Sequence, residues 1–231
     1  MKYNRIVEAI FIKRPNRFIA HVLIDGEEEV VHVKNTGRCR ELLVPGARVV
    51  LEDCSEKPNR KTRYSLIAVW KGDILVNMDS QLPNAVVYKS LKENKIGELE
   101  NIHRVKREVT YQNSRFDIYF EGQDEKGYIE VKGVTLEEDG IARFPDAPTL
   151  RGKRHVLEMI DALDEGYRAI IFFLIQMQGP REFRLNWEMD KDFSQAVKDA
   201  HDRGVIILAY DSIVNENSVE LGKPIPIDLN N

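Results

Sequence analysis

Cysteine is scarce in this chain, and long apolar runs are missing. The two cysteines, Cys39 and Cys54, form no metal-ligand spacing, and free thiols are expected of them. No apolar run approaches the roughly 18 residues a membrane-spanning helix needs. The opening stretch, MKYNRIVEAIFIKRPN, lacks the apolar core and cleavage site of a signal peptide. A cytoplasmic protein with no membrane partner is expected. Repeats and low-complexity segments are also absent, which excludes a solenoid or a tail-like chain. What remains is ordinary globular composition, 42% hydrophobic and 31% charged over 231 residues. That length supports one large domain or two small ones.

The net charge of −4 is unevenly spread. The first 80 residues hold 14 basic and 11 acidic side chains, and the remaining 151 hold 20 and 27. From Lys34 to Arg63 there are eight basic residues against four acidic ones. A local patch of this kind can attract phosphate even in an acidic chain.

Residues 1–80 read as a β-rich domain. Arg17–Ile24, Glu29–Lys34, Arg48–Asp53, Arg63–Val69 and Ile74–Asn77 are short and β-branched, with turn signals such as Asp25-Gly26 and Pro45-Gly46 between them. Five strands in so short a span suit a small OB-like barrel. Such barrels hold single strands with basic grooves and stacking aromatics. Arg38, Arg40, Arg60, Lys61 and Arg63 supply charge here, and Tyr64 or Trp70 is available to stack, although Trp70 also fits a core position. Asn35-Thr36-Gly37-Arg38 reads as a tight turn, with or without a role in presenting N–H groups to an anion.

Residues 81–231 read as mixed α/β. Ser80 and Pro83 signal a helix to about Glu93. Arg104, Lys106 and Arg107 lead into a strand through Thr110. Ser114 to Thr135 then alternates apolar and polar residues on both sides of a charged, Gly-containing turn, the pattern of a β-hairpin. Phe116, Ile118, Phe120, Ile129 and Val131 would share one face. Arg115, Asp117, Tyr119, Glu130 and Lys132 would share the other, since strand side chains repeat every second residue. With Asp117 opposite Glu130, two carboxylates can hold a hard cation such as Mg²⁺ or Mn²⁺, with the Val131 carbonyl nearby. Lys132 can then position a water for attack on phosphorus. A solvated hairpin face is the plain alternative. Glu93 or Glu98 is a candidate third carboxylate, or else a helix-end charge.

Downstream, Arg143, Arg151, Lys153 and Arg154 cluster at a helix beginning near Thr149, whose free N–H groups also attract phosphate. Asp146 and His155 flank them, with structural and functional roles both open. Ala169 to Ile175, AIIFFLI, has the length and composition of a strand covered on both faces. Gln176 follows it and is read either as a strand cap or as a site residue. A second helical stripe, Phe193 to Ala200, precedes a strand at Val205–Tyr210. Asn215 to Asn231 reads as an irregular tail.

Several of these blocks carry a family resemblance. SRFDIYF, YIEVKGVTL, ARFPDAPTLRGKRH and HVKNTGRCREL are similar to the sugar fermentation stimulation protein A family. The D-x12-E-x-K spacing resembles the PD-(D/E)xK nuclease superfamily, with Phe116 in place of its proline. The resemblance implies an N-terminal OB-like barrel, a C-terminal nuclease-like domain and DNA binding. The expectation is a DNA-preferring, metal-dependent nuclease with Asp117, Glu130 and Lys132 as its catalytic set. Arg38, Arg40, Lys61, Arg63, Arg143, Arg151 and Lys153 would contact nucleic acid. A non-catalytic DNA-binding regulator of sugar metabolism is the alternative, with Phe193 to Leu208 read as a helix-turn-helix, although VIILAY suits a strand better. An enzyme acting on small nucleotides would use the same triad. Nothing in the sequence excludes a homo-oligomer.

Overall fold

The computed structural model describes residues 1–35, 37–112 and 114–230. Thr36, and with it part of the Asn35–Arg38 turn, lies outside the described residues. The first six strands are β1 (Ile6–Asn16), β2 (Ile19–Ile24), β3 (Glu27–Val33), β4 (Arg48–Asp53), β5 (Tyr64–Lys71) and β6 (Ile74–Asn77). Their order is β3-β2-β1-β4-β5-β6, and a parallel pairing of β3 with β5 closes five of them into a barrel. The architecture is therefore an N-terminal OB barrel followed by a mixed α/β domain. The fifth barrel strand is β1 rather than β6. Its dispersed charges and Pro15 hid it in the sequence, yet Ala9 and Phe11 point into the barrel core. Tyr64 points inward as well and is buried, so it cannot stack a ligand. Trp70 packs on the smaller apolar cluster around Val50 and Ile67.

The second domain starts with α1 (Leu82–Lys92). It continues through β7 (Arg104–Tyr111), β8 (Ser114–Glu121), β9 (Lys126–Val134), β10 (Leu136–Glu138) and β11 (Ile141–Phe144). After these come α2 (Leu150–Asp164), β12 (Arg168–Ile175), β13 (Glu182–Leu185), α3 (Lys191–Asp202), β14 (Ile206–Asn215), β15 (Ser218–Pro224) and β16 (Ile227–Asp228). The main sheet runs β15-β14-β12-β9-β8-β7, and β10-β11-β13-β16 form a smaller one. β12 is the AIIFFLI segment, parallel to both β9 and β14 and buried throughout. Its side chains alternate: Ile171, Phe173 and Ile175 face the core shared with α2 and α3, while Ile170, Phe172 and Leu174 face α1. Both faces are covered, so continuous hydrophobicity rather than alternation marks this strand.

α2 is capped at Thr149, where its sequence places the start, and α3 is capped by Asp190. The Thr149 hydroxyl accepts from Gly152 N at 3.0 Å, and Asp190 accepts from Phe193 N at 2.9 Å. Gly166 and Gly204, at φ 83° and 108°, follow the two helices in the left-handed region that favours glycine. After Gly204 the chain enters β14 rather than a second helix, so no helix-turn-helix forms there. The segment expected as an irregular tail instead makes β15 and β16. Val219 is fully buried against the α1 side of the sheet, and a single alternating apolar residue was too weak a signal to show this. No described helix is long and apolar enough to cross a membrane.

The linker between the domains is tied to both. Lys34 pairs with Glu52 and Asp79, and the Ser80 hydroxyl donates to Lys34 O at 2.8 Å. Gln176, at the end of β12, donates to Asn77 O and Asp79 O at 3.1 and 3.2 Å. Gln176 therefore holds the linker and does not enter the site.

Candidate active site

β8 and β9 form the expected hairpin, paired from Glu121↔Lys126 to Ile118↔Ile129. The same register makes Asp117 and Glu130 the next pair. There the ladder gives way: Val131 N donates to Asp117 Oδ2 at 2.8 Å, so a side-chain carboxylate takes the main-chain donor. β9 continues beside β12 as far as Ile175↔Val134 while β8 leads away from it. The strands fork at Asp117, and the fork opens the site. Opposite Asp117 on β7, Glu108 has φ 54°, a left-handed residue that breaks the regular strand. One expectation fails here for that reason. Phe116 does not share a face with Ile118 and Phe120; it stacks on Tyr111 and packs at a tilt against Tyr128 on the α2 side.

The fork is the floor of a cavity of ≈ 280 Å³, lined by Asp117, Glu130 and Lys132 together with Asn84, Arg151 and His155. Lys132 Nζ donates to Glu130 Oε1 at 2.7 Å, and His155 Nδ1 bonds the same oxygen. Glu130 is 3% exposed, and its Oε2 is buried without a hydrogen-bond partner. A buried carboxylate oxygen left in this state is costly unless something else meets it. Burial raises the Glu130 carboxyl, but the His155 bond and Lys132 outweigh it and hold the group below the usual carboxylate range. Asp117 goes the other way. Burial, reinforced by the neighbouring Glu130 charge, pushes it up to about 6 against the bonds from Val131 and Asn84. Two carboxylates driven apart in this way make the fork a candidate site.

Asn84 and His155 are the residues that sequence reasoning missed or left open. Asn84 Nδ2 donates to Asp117 Oδ1 at 2.6 Å from the first turn of α1. It stands where a helical glutamate was sought. Glu93 instead pairs with Lys89 and Lys95, and Glu98 accepts from the Tyr210 hydroxyl. No group of three His, Cys, Asp or Glu arranged to hold a metal occurs among the described residues. His155 is buried and lies on the inner face of α2, where the helical repeat from Gly152 brings it down onto Glu130. Gly152 keeps the helix start close: a Cβ there would lie 2.7 Å from Thr149 Oγ1 and 3.1 Å from Phe193.

Of the basic residues expected to contact nucleic acid, Arg151 lines this cavity, its Nε 3.4 Å from His155 Nε2. Arg143 lies in β11 beside Glu138, Lys153 pairs with Asp192 at 2.9 Å, and Arg154 lies beside Glu158. In the barrel, Arg38 and Arg40 line a separate hollow with Lys13, Arg14 and Arg17. Lys61 and Arg63 are not part of that hollow, and Arg63 is bound to Asp53 at 2.8 Å. Asp146 faces Gly37 of the barrel, its Oδ2 2.7 Å from where a Cβ would stand.

Comparison with known proteins gives this geometry a family. The profile described as the SfsA N-terminal OB domain matches residues 12–78, and that of the sugar fermentation stimulation protein RE domain matches residues 81–218. The chain belongs to the sugar fermentation stimulation protein family. It is similar over 99% of its own length, and 99% of the relative's, to a sugar fermentation stimulation protein homolog of Alkaliphilus oremlandii, at 61% identity. A homolog from Clostridium botulinum is 52% identical, with 98% of each chain covered. Among solved structures, Pyrococcus furiosus SfsA in complex with Ca²⁺ superposes with a TM-score of 0.89 at 28% identity, covering 99% of this chain and 98% of that one.

Proposed function

We propose that this family member is a metal-dependent phosphodiesterase acting on nucleic acid, with DNA preferred. The observation that carries the reading is the unpartnered Glu130 Oε2, buried beside Asp117 at the fork of β8 and β9. A hard divalent cation answers such an oxygen better than any group this chain offers. Asp117 and Glu130 would hold Mg²⁺ or Mn²⁺, with the Val131 carbonyl nearby and the rest of the shell left to water and substrate. The all-oxygen donor set suits these ions, and the Ca²⁺ bound by Pyrococcus furiosus SfsA is a hard cation of the same preference. When bound, the cation supplies charge neutralisation at the phosphate and a lowered water pKa.

The chain's own groups do the rest. Lys132 Nζ, tethered to Glu130 Oε1, turns its remaining N–H bonds to a water and to the charge that develops on the phosphate oxygens. His155 holds the same Glu130 oxygen and fixes the carboxylate's orientation. Asn84 does the same for Asp117. Arg151 and the free N–H groups at the start of α2 receive the phosphate.

Lys132→Ala tests the reading. Mg²⁺- or Mn²⁺-dependent cleavage should disappear, while affinity for a DNA strand changes little, because one charge among many contacts alters binding modestly. Wild-type protein that cleaves neither DNA, RNA nor small nucleotides with either metal would overturn it and favour the regulator.

A further inference from the structure

The hollow on the barrel has a composition that backbone tracking alone does not explain. It measures ≈ 390 Å³ and is lined by Lys13, Arg14, Arg17, Arg38 and Arg40, with no carboxylate on its wall. Several other cations of the barrel are answered by acids: Arg63 by Asp53, Lys57 and Lys34 by Glu52, Lys71 by Glu137. None of the hollow's cations is within ion-pair distance of a described carboxylate.

Arg14 builds the wall. Its Nη1 donates to Gly37 O and Arg38 O at 2.8 and 2.9 Å, and its Nη2 to Arg17 O and Asn35 O at 2.7 and 2.6 Å. One half-buried guanidinium thus gathers four carbonyls and sets the chain segments that carry Arg17 and Arg38 side by side. Lys13, Arg17, Arg38 and Arg40 keep their exposed heads for a ligand. Phe11, Leu43 and Pro45 give the hollow an apolar side. Phe18, 51% exposed, sits next to it with the Arg17 guanidinium 5.6 Å over its ring. Cations, an apolar wall and an exposed aromatic ring together suit a phosphate with a sugar and base attached.

The hollow is linked to the catalytic cavity through the chain, although the two share no lining residue. Gly37, on its wall, packs against Asp146, which lies in the loop leading to Thr149 on the rim of the cavity. Ser80, also on that rim, is bonded to Lys34 O, just ahead of the same barrel turn.

We propose that the hollow seats the terminal phosphate of a nucleic-acid strand whose interior reaches the catalytic cavity, so that the protein recognises strand ends. For the class of ligand, this rests on the phosphodiesterase reading. A terminal phosphate carries close to two negative charges at neutral pH, an internal one carries one, and four unanswered cations match the former.

The test is fluorescence anisotropy in EDTA with one labelled single strand in three forms: 5′-phosphate, 3′-phosphate and hydroxyl at both ends. One phosphorylated form should bind about tenfold tighter than the hydroxyl form, the size of one charge-assisted contact. The preference should vanish in Arg38→Gln/Arg40→Gln and in a second pair on the exposed β1–β2 hairpin, Lys13→Gln/Arg17→Gln. Equal affinities for the three strands would overturn the proposal. So would a preference that survives in both folded variants. A nucleoside monophosphate binding as tightly as the phosphorylated strand would make this a small-molecule pocket and overturn it too. Because the assay needs no cleavage, end preference without any Mn²⁺-dependent cleavage would sink the phosphodiesterase reading alone. Cleavage without end preference would sink the end-seating proposal alone.

Discussion

Asp117→Asn should make the metal-free protein more stable at neutral pH. In the folded chain the Asp117 carboxyl titrates at about 6, against an ordinary value of 3.8, because burial and the Glu130 charge oppose its ionisation. Below the ordinary value the group is protonated in both folded and unfolded chains and costs nothing. As pH rises from about 4 to about 6, the unfolded chain gives up this proton and the folded chain keeps it, so stability falls through that window. The shift is about two pKa units, and at 1.36 kcal/mol each this amounts to about 3 kcal/mol lost by pH 7.5. Asparagine cannot ionise, and its amide oxygen can still accept from Val131 N, so the variant avoids most of that loss. Urea unfolding in EDTA should therefore place Asp117→Asn about 2–3 kcal/mol above the wild type at pH 7.5, with the difference vanishing by about pH 3. Adding Mn²⁺ should raise the wild-type midpoint and leave the variant's unchanged, since a ligand that binds only the folded state stabilises it by mass action. A variant less stable than wild type at pH 7.5, or a difference that does not vary with pH, would refute the assigned environment of Asp117.

Two further outcomes test the frame around the site. Replacing Lys13, Arg38 and Arg40 with Gln should flatten the dependence of log K on log salt for end-phosphorylated single-stranded DNA by roughly 0.7, because these cations share one terminal phosphate contact. Lys61→Gln/Arg63→Gln, outside the hollow and with Arg63 already bound to Asp53, should leave that slope nearly unchanged; titrations at several salt concentrations decide between the two. Gly127→Ala should cost about 1–3 kcal/mol in urea unfolding by overpacking, because a Cβ there meets the Arg168 carbonyl and lies 2.7 Å from the Phe120 ring. A neutral result would mean that β9 and β12 pack less closely than their register implies.

Much of this protein was legible where a segment's own pattern answers to its neighbours along the chain. The alternation of residues 115–120 and 128–132 specifies the hairpin, while the register that places Asp117 with Glu130 was a condition that the strand pairing met. AIIFFLI announces a strand covered on both faces, and Thr149, Gly166 and Gly204 mark helix boundaries, because caps and left-handed turns depend on the local backbone. Tertiary structure decided what depends on distant partners. β1 is charged and interrupted by proline, and only closure of the barrel gives Ala9 and Phe11 a core to enter. Asn84 and His155 come from helices far from the hairpin in sequence, and no local spacing points either of them at Asp117 or Glu130. The barrel's basic residues divide in the same way. Composition registers Arg38 and Arg63 alike, but Asp53 neutralises one across a strand pair, while Arg14 draws the other's loop against Lys13 and Arg17. Charge is a property of the sequence; whether a carboxylate lies within reach to cancel it is a property of the fold.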